Sequence, residues 1–246
     1  MEYNFNSLQK GGLAVKRGRI FLYAVWLFAV FFCGIGGFFL AGERTWALLA
    51  TALAVLAMVP LLWGFEKREH KASELMVLAA MVAFAVASRI ALFALPGVKP
   101  VTAAVVLAGI YLGKEAGFAT GAMSALVSGF AFGLGSFTPF QMLAWGICGF
   151  LAGGFGALLH RKIPLLAFGA LSGILFSAVM EVWTVASVYG GFSPSLYLAS
   201  LTASLPTTAL YALTNVVFLA VLQRPAARIF GRLRQKYGIF VRESAF

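Results

Sequence analysis

GLGSFTPFQMLAWG, residues 133–146, is uncharged, holds the aromatics Phe137, Phe140 and Trp145, and sets Ser136, Thr138 and Gln141 among them. It begins as a glycine loop. Pro139 suits the first turn of a helix, where its missing N–H costs nothing. Long apolar segments flank it on both sides, so its meaning depends on what those segments are.

Hydrophobic residues make up 61% of the 246-residue chain and charged residues 11%, with no Asp. Soluble domains are about 45–50% apolar, and a soluble core this apolar would lack the polar surface to cover it. The fold class expected is an all-α polytopic membrane protein; the alternating ten-residue segments of a β-barrel are missing. The net charge of +11 does not point to nucleic acid, because the basic residues gather in short loops and tails between apolar runs.

A spanning helix needs about 20 apolar residues. On that measure the spans fall near 20–41, 45–64, 74–95, 99–113, 116–133, 139–159, 164–188 and 196–222, which is eight. The fourth is short enough to be a thin span or a re-entrant element, and Pro206 is expected to kink the eighth. With a cytoplasmic N-terminus, sixteen of the 19 Lys and Arg residues lie inside and only Arg44 and Lys99 outside, leaving Arg89 within a helix. That bias supports eight spans with both termini cytoplasmic. The first span is too long for the apolar stretch of a cleaved signal and reads as a membrane helix. The chain divides into a tail and lipid-facing hairpin (1–71), a six-helix core (72–224) and a basic cytoplasmic tail (225–246).

Several patterns in the core could carry function. Ala79, Ala83, Ala87 and Ala91 form one ridge along the third span, suited either to internal packing or to docking another subunit. Gly109, Gly113, Gly117 and Gly121 suit a tightly packed helical hairpin. Arg89 and Glu181 are ionisable groups within spans, each costing about 2.5–3.5 kcal/mol at mid-membrane on insertion scales. Both lie about 10 Å below the outer surface, at about 1.5 Å per residue. They suit an ion pair with each other or contacts to a polar solute; proton coupling by Glu181 is a lesser reading. Lys99, Phe137, Thr138, Gln141, Trp145, Trp183, Thr184, Tyr189 and Tyr197 gather at the same outer level. Each aromatic alone could be a membrane anchor. Their convergence with loops 95–100, 133–139 and 189–195 outlines a pocket for a mostly apolar or ring-bearing solute.

Enzyme readings lack parts. His70 and His160 sit in basic cytoplasmic loops, Cys33 and Cys148 in apolar segments, and no HExxH motif, Asp pair or intramembrane Ser/His couple occurs. No catalytic residue, metal site or cofactor is expected, and without Walker motifs the chain cannot power transport itself.

Three stretches carry a family resemblance: SRIALFALPGVKPVTAAVVLAGIYLG with the alanine ridge, KEAGFATGAMSALVSGFAFGLGSFTPFQMLAWGICGFLAG, and RLRQKYG. From about Glu74 onward the chain resembles the substrate-binding (S) components of energy-coupling-factor (ECF) transporters; the first two spans depart from that six-helix plan. The resemblance implies a subunit in a prokaryotic cell membrane that binds a vitamin or related micronutrient at the outer face. It further implies a transmembrane coupling subunit and two cytoplasmic ATPases as partners, with Ala79, Ala83 and Ala87 facing the coupling subunit. Within the family the chain looks most like versions assigned to cobalamin or a related corrinoid precursor. The expected solute contacts are Arg89, Lys99, Phe137, Thr138, Gln141, Trp145, Glu181, Thr184 and Tyr189. The alternatives are a self-sufficient secondary transporter or channel, and a scaffold that binds only proteins.

Overall fold

The computed structural model describes residues 46–66, 71–95, 97–189 and 192–238. The expected span 20–41 lies outside them, as do Lys10, Lys16, Arg17, Arg19, Arg44, Lys67, Arg68, Arg242, Cys33 and His70. The described residues form an all-helical bundle with no strand: α1 (Trp46–Glu66), α2 (Ala72–Ala91), α3 (Val101–Leu112), α4 (Lys114–Phe132), α5 (Thr138–Gly154), α6 (Gly156–Leu159), α7 (Lys162–Val188), α8 (Pro194–Ala203) and α9 (Leu205–Tyr237).

Three of these, α2, α7 and α9, are long and apolar enough to cross a membrane. Phe93, Phe130, Ile163 and Leu198 are among the many large apolar side chains left exposed around the bundle, an outer surface that suits hydrocarbon rather than water. Of the other expected spans, 45–64 appears as the 21-residue α1 and 99–113 as the 12-residue α3. α4 opens on Lys114 and Glu115 and carries Thr120, Ser124 and Ser128. The expected 139–159 helix breaks at Phe155, giving α5 and α6. The last expected span breaks at Ser204, and Pro206 lies in the first turn of α9, where the ring obstructs no earlier carbonyl.

α3 is the centre. Every residue from Val101 to Ile110 is buried, as is Leu112, so the helix has no polar face because it meets no solvent on any side. It packs against α2, α4, α5, α7 and α9. The α3–α4–α5 contact is made by backbone. A Cβ placed on Gly109 would strike the Gly149 carbonyl, one on Gly149 the Gly117 carbonyl, and one on Gly121 the backbone of Trp145. Without a hydrophobic drive between helices in lipid, such close approach is the main source of association. The glycine series therefore serves a three-helix contact, wider than the hairpin expected from sequence. Gly113 instead makes the turn between α3 and α4, at φ 106°, a conformation that costs an L residue.

α1 buries Ala54, Ala57, Met58 and Leu61, one stripe at helical spacing, against α4, α5 and α7. It is thus packed on the core as well as exposed on its other face. α9 continues through the expected boundary at residue 224. Ala226 and Phe230 extend the buried stripe of Asn215 and Leu219, and Phe230 stacks on Tyr111 at 4.8 Å. The Arg234 guanidinium donates to the Tyr111 carbonyl at 3.3 Å, and Lys71 Nζ to that of Gly238 at 3.3 Å. These ties define one end of the bundle, which also carries Lys114, Arg161 and Lys162. The opposite end gathers the C-termini of α2, α4 and α7 and the N-termini of α3, α5 and α9.

Candidate functional site

Trp145 is the hub of that opposite end. It lies two turns into α5 and is 1% exposed. Its orientation starts in the loop before it: the Gly135 N–H donates to Thr138 Oγ1 at 3.1 Å, and the Thr138 N–H to the Gly135 carbonyl at 2.9 Å. This turn fixes where α5 begins, with Pro139 in its first turn. Trp145 Nε1 then donates to Thr102 Oγ1 at 3.2 Å. The indole stacks on Phe176 of α7 at 5.1 Å, and Phe176 meets the ring of Tyr211 edge-on at 5.7 Å.

These rings wall a narrow recess of about 10 Å³, room for about one water, lined by Lys99, Thr102, Trp145, Gly173, Phe176, Tyr211 and Asn215. Gly173 allows it to form at the α7–α9 contact, since a Cβ there would meet Ala212 N at 2.7 Å. Lys99 Nζ donates to the Tyr211 hydroxyl at 3.1 Å. Asn215 Nδ2 donates to the Gly169 carbonyl at 3.2 Å, fixing the amide on the α9 side.

Arg89 contacts the same tryptophan. Its guanidinium carbon lies 5.1 Å from the Trp145 ring centroid and 4.7 Å from that of Phe132, within cation–π range. Nη1 donates to Ser128 Oγ at 2.5 Å, while Ser128 donates onward to the Ala125 carbonyl.

Of the residues expected from sequence, the structure brings Arg89, Lys99 and Trp145 together. Arg89 and Glu181 form no ion pair. The Glu181 carboxylate accepts from Ser200 of α8 instead, and α7 is held there by a further bond from the Tyr197 hydroxyl to the Ala178 carbonyl at 2.9 Å. Phe137 packs edge-on against Trp183 at 5.7 Å, whose Nε1 donates to Ser136 Oγ at 3.0 Å. Thr138 is used in its turn, Thr184 bonds back to the Met180 carbonyl of its own helix, and Tyr189 is exposed. Gln141 is 9% exposed and lies one turn before Trp145 on the same helix.

Thr102, Gly173, Phe176, Tyr211 and Asn215 were not among the expected contacts. A signal existed for Asn215, a carboxamide in the middle of an apolar span, and for Tyr211, one turn before it. The ridge residues Ala79, Ala83, Ala87 and Ala91 are all exposed, whereas α2 faces the bundle with Val82, Ala85 and Arg89. Among the described residues no group of three metal-ligating side chains occurs. No protein-family model matches the chain, and no curated protein or solved structure does.

Proposed function

We propose that this chain is the solute-binding membrane subunit of an ECF-type transporter. It takes a vitamin or related micronutrient at the outer face of a prokaryotic cell membrane and leaves ATP hydrolysis to partner subunits. The observation that carries this reading is the recess itself, an aromatic wall with a few fixed polar groups at one end of an apolar helical bundle, the usual make-up of a small-molecule site. The cations support its sidedness. Lys71, Lys114, Arg161, Lys162 and the arginines of α9 collect at the end away from the recess, as cytoplasmic residues do. On this reading eight spans cross the bilayer and both termini are cytoplasmic. The outward alanine ridge supports docking of the coupling subunit at Ala79, Ala83 and Ala87.

The test is a thermal-shift panel of vitamins and their precursors, cobalamin included, on the purified chain without ATP. Stabilisation by one compound, together with co-purification of a coupling subunit and ATPases from the native host, is the expected result. ATP-independent uptake by the chain alone in proteoliposomes would instead establish a self-sufficient transporter.

A further inference from the structure

The outer face of α9 changes character within one turn. Leu213, Val217 and Val221 are exposed and four residues apart; Arg224, Arg228 and Arg232, also exposed, carry the stripe on. At 3.6 residues per turn these positions share an arc of about 100°, opposite the buried Leu219, Ala226 and Phe230. The stacking of Phe230 on Tyr111 and the bond from Arg234 to the Tyr111 carbonyl hold this part of the helix against the bundle. Gln223 Nε2 donates to the His160 carbonyl at 3.3 Å, which brings the turn bearing Arg161 and Lys162 to the turn bearing Arg224. Both of those cations are exposed, and Ile163 beside them is 82% exposed, so the start of α7 repeats the apolar-to-cationic boundary. α9 contains no Asp or Glu, and among the described residues none of these cations takes part in an ion pair. Cations that only set topology need no fixed arrangement, whereas these are brought together from two segments at the level where the apolar stripe ends. A phospholipid has the same boundary, acyl chains and then phosphate, and guanidinium groups match phosphate geometry. We propose that Arg161, Lys162, Arg224 and Arg228 form a headgroup site for an anionic phospholipid of the phosphatidylglycerol class, whose acyl chains lie along Leu213, Val217 and Val221. Arg232, about 6 Å further along the helix, adds attraction within the screening length of about 8 Å.

The proposal needs a membrane-spanning chain but no solute, so its failure and that of the vitamin panel are separate results. The full chain, in a neutral detergent, is titrated with phosphatidylglycerol, with phosphatidylcholine of the same acyl chains, and with inorganic phosphate. Melting temperature and the lipid retained in native mass spectrometry are the readouts. Phosphatidylglycerol should be retained more tightly than phosphatidylcholine and raise the melting temperature, and inorganic phosphate should not raise it. The pair Arg224→Gln and Arg228→Gln should weaken phosphatidylglycerol binding about fivefold for each arginine removed, the weight of one basic residue at an anionic surface. Phosphatidylcholine retention and the lipid-free melting temperature should stay unchanged, which shows the variant folded; Arg224→Gln alone provides the same comparison with a single change. Lysine at both positions should restore most of the binding. Equal retention of the two lipids overturns the proposal, as does unchanged phosphatidylglycerol binding in the glutamine pair. Stabilisation by inorganic phosphate equal to that by phosphatidylglycerol makes this a site for a free anion and overturns it too. Lys114→Gln removes one charge from the α3–α4 turn at the same end; a loss as large as that from Arg224→Gln would assign the effect to net charge and overturn the site.

Discussion

Trp145 Nε1 donates to Thr102 Oγ1 at 3.2 Å, a bond that ties the second turn of α5 to the first turn of α3. The same indole stacks on Phe176 and supports Arg89, so one side chain joins α2, α3, α5 and α7. Trp145→Ala should cost about 3–5 kcal/mol, the usual range for a buried aromatic. Trp145→Phe keeps a ring and should cost about 1 kcal/mol for the lost hydrogen bond, plus the smaller packing. Reversible unfolding in mixed micelles measures both; equal losses would mean the ring is not what holds the helices.

The α4–α5 contact leaves no room for a side chain at Gly149. Gly149→Val should prevent a stable fold, whereas Gly231→Ala, which meets nothing within 4 Å in α9, should be neutral or stabilising by up to about 1 kcal/mol. The yield of monodisperse protein and its melting temperature report the difference. A well-behaved Gly149→Val chain would contradict the close approach.

Ser200 is the hydroxyl that donates to Glu181. Removing it by Ser200→Ala leaves a part-buried carboxylate short of its donor and should destabilise by about 1–3 kcal/mol. Glu181→Gln should be tolerated better, because a neutral amide needs less compensation. If Glu181→Gln abolishes solute binding with unfolding unchanged, Glu181 acts on the solute rather than on α8.

Ala83 is exposed on α2, so Ala83→Leu should change stability by no more than about 0.5 kcal/mol. On the proposed function it should nonetheless block co-purification of the coupling subunit while sparing solute binding. Retained assembly would remove the ridge from the docking face.

The apolar runs made the helical class legible, and Pro139 marked a helix start because a proline's missing N–H acts locally; Pro206, expected to kink a helix, instead begins one. The middle of the bundle was less so. Whether Ala83 faces inward or outward depends on which other face of α2 is buried, and Val82 and Ala85 are too similar to it for composition to decide. Arg89 and Glu181 were rightly placed near one end, but depth along a helix says nothing about azimuth, and each found a hydroxyl on a different neighbour. Tyr211 and Asn215 escaped notice because the sequence drew attention to segment ends, whereas their neighbours Lys99, Phe176 and Gly169 come from distant parts of the chain. The charges of 224–236 suggested a tail; the spacing of Leu219, Ala226 and Phe230 already continued the helix through them.

α3 has 12 residues, about 18 Å of helix, against roughly 30 Å of hydrocarbon in a bilayer. Lys99 and Lys114 flank it. For a chain that spans the membrane, the partition between the recess and the Lys114–Glu115 turn is therefore a thin septum. Under the proposed function, a solute held at this end of the bundle would have that short plug of packed backbone beneath it rather than the full depth of the membrane.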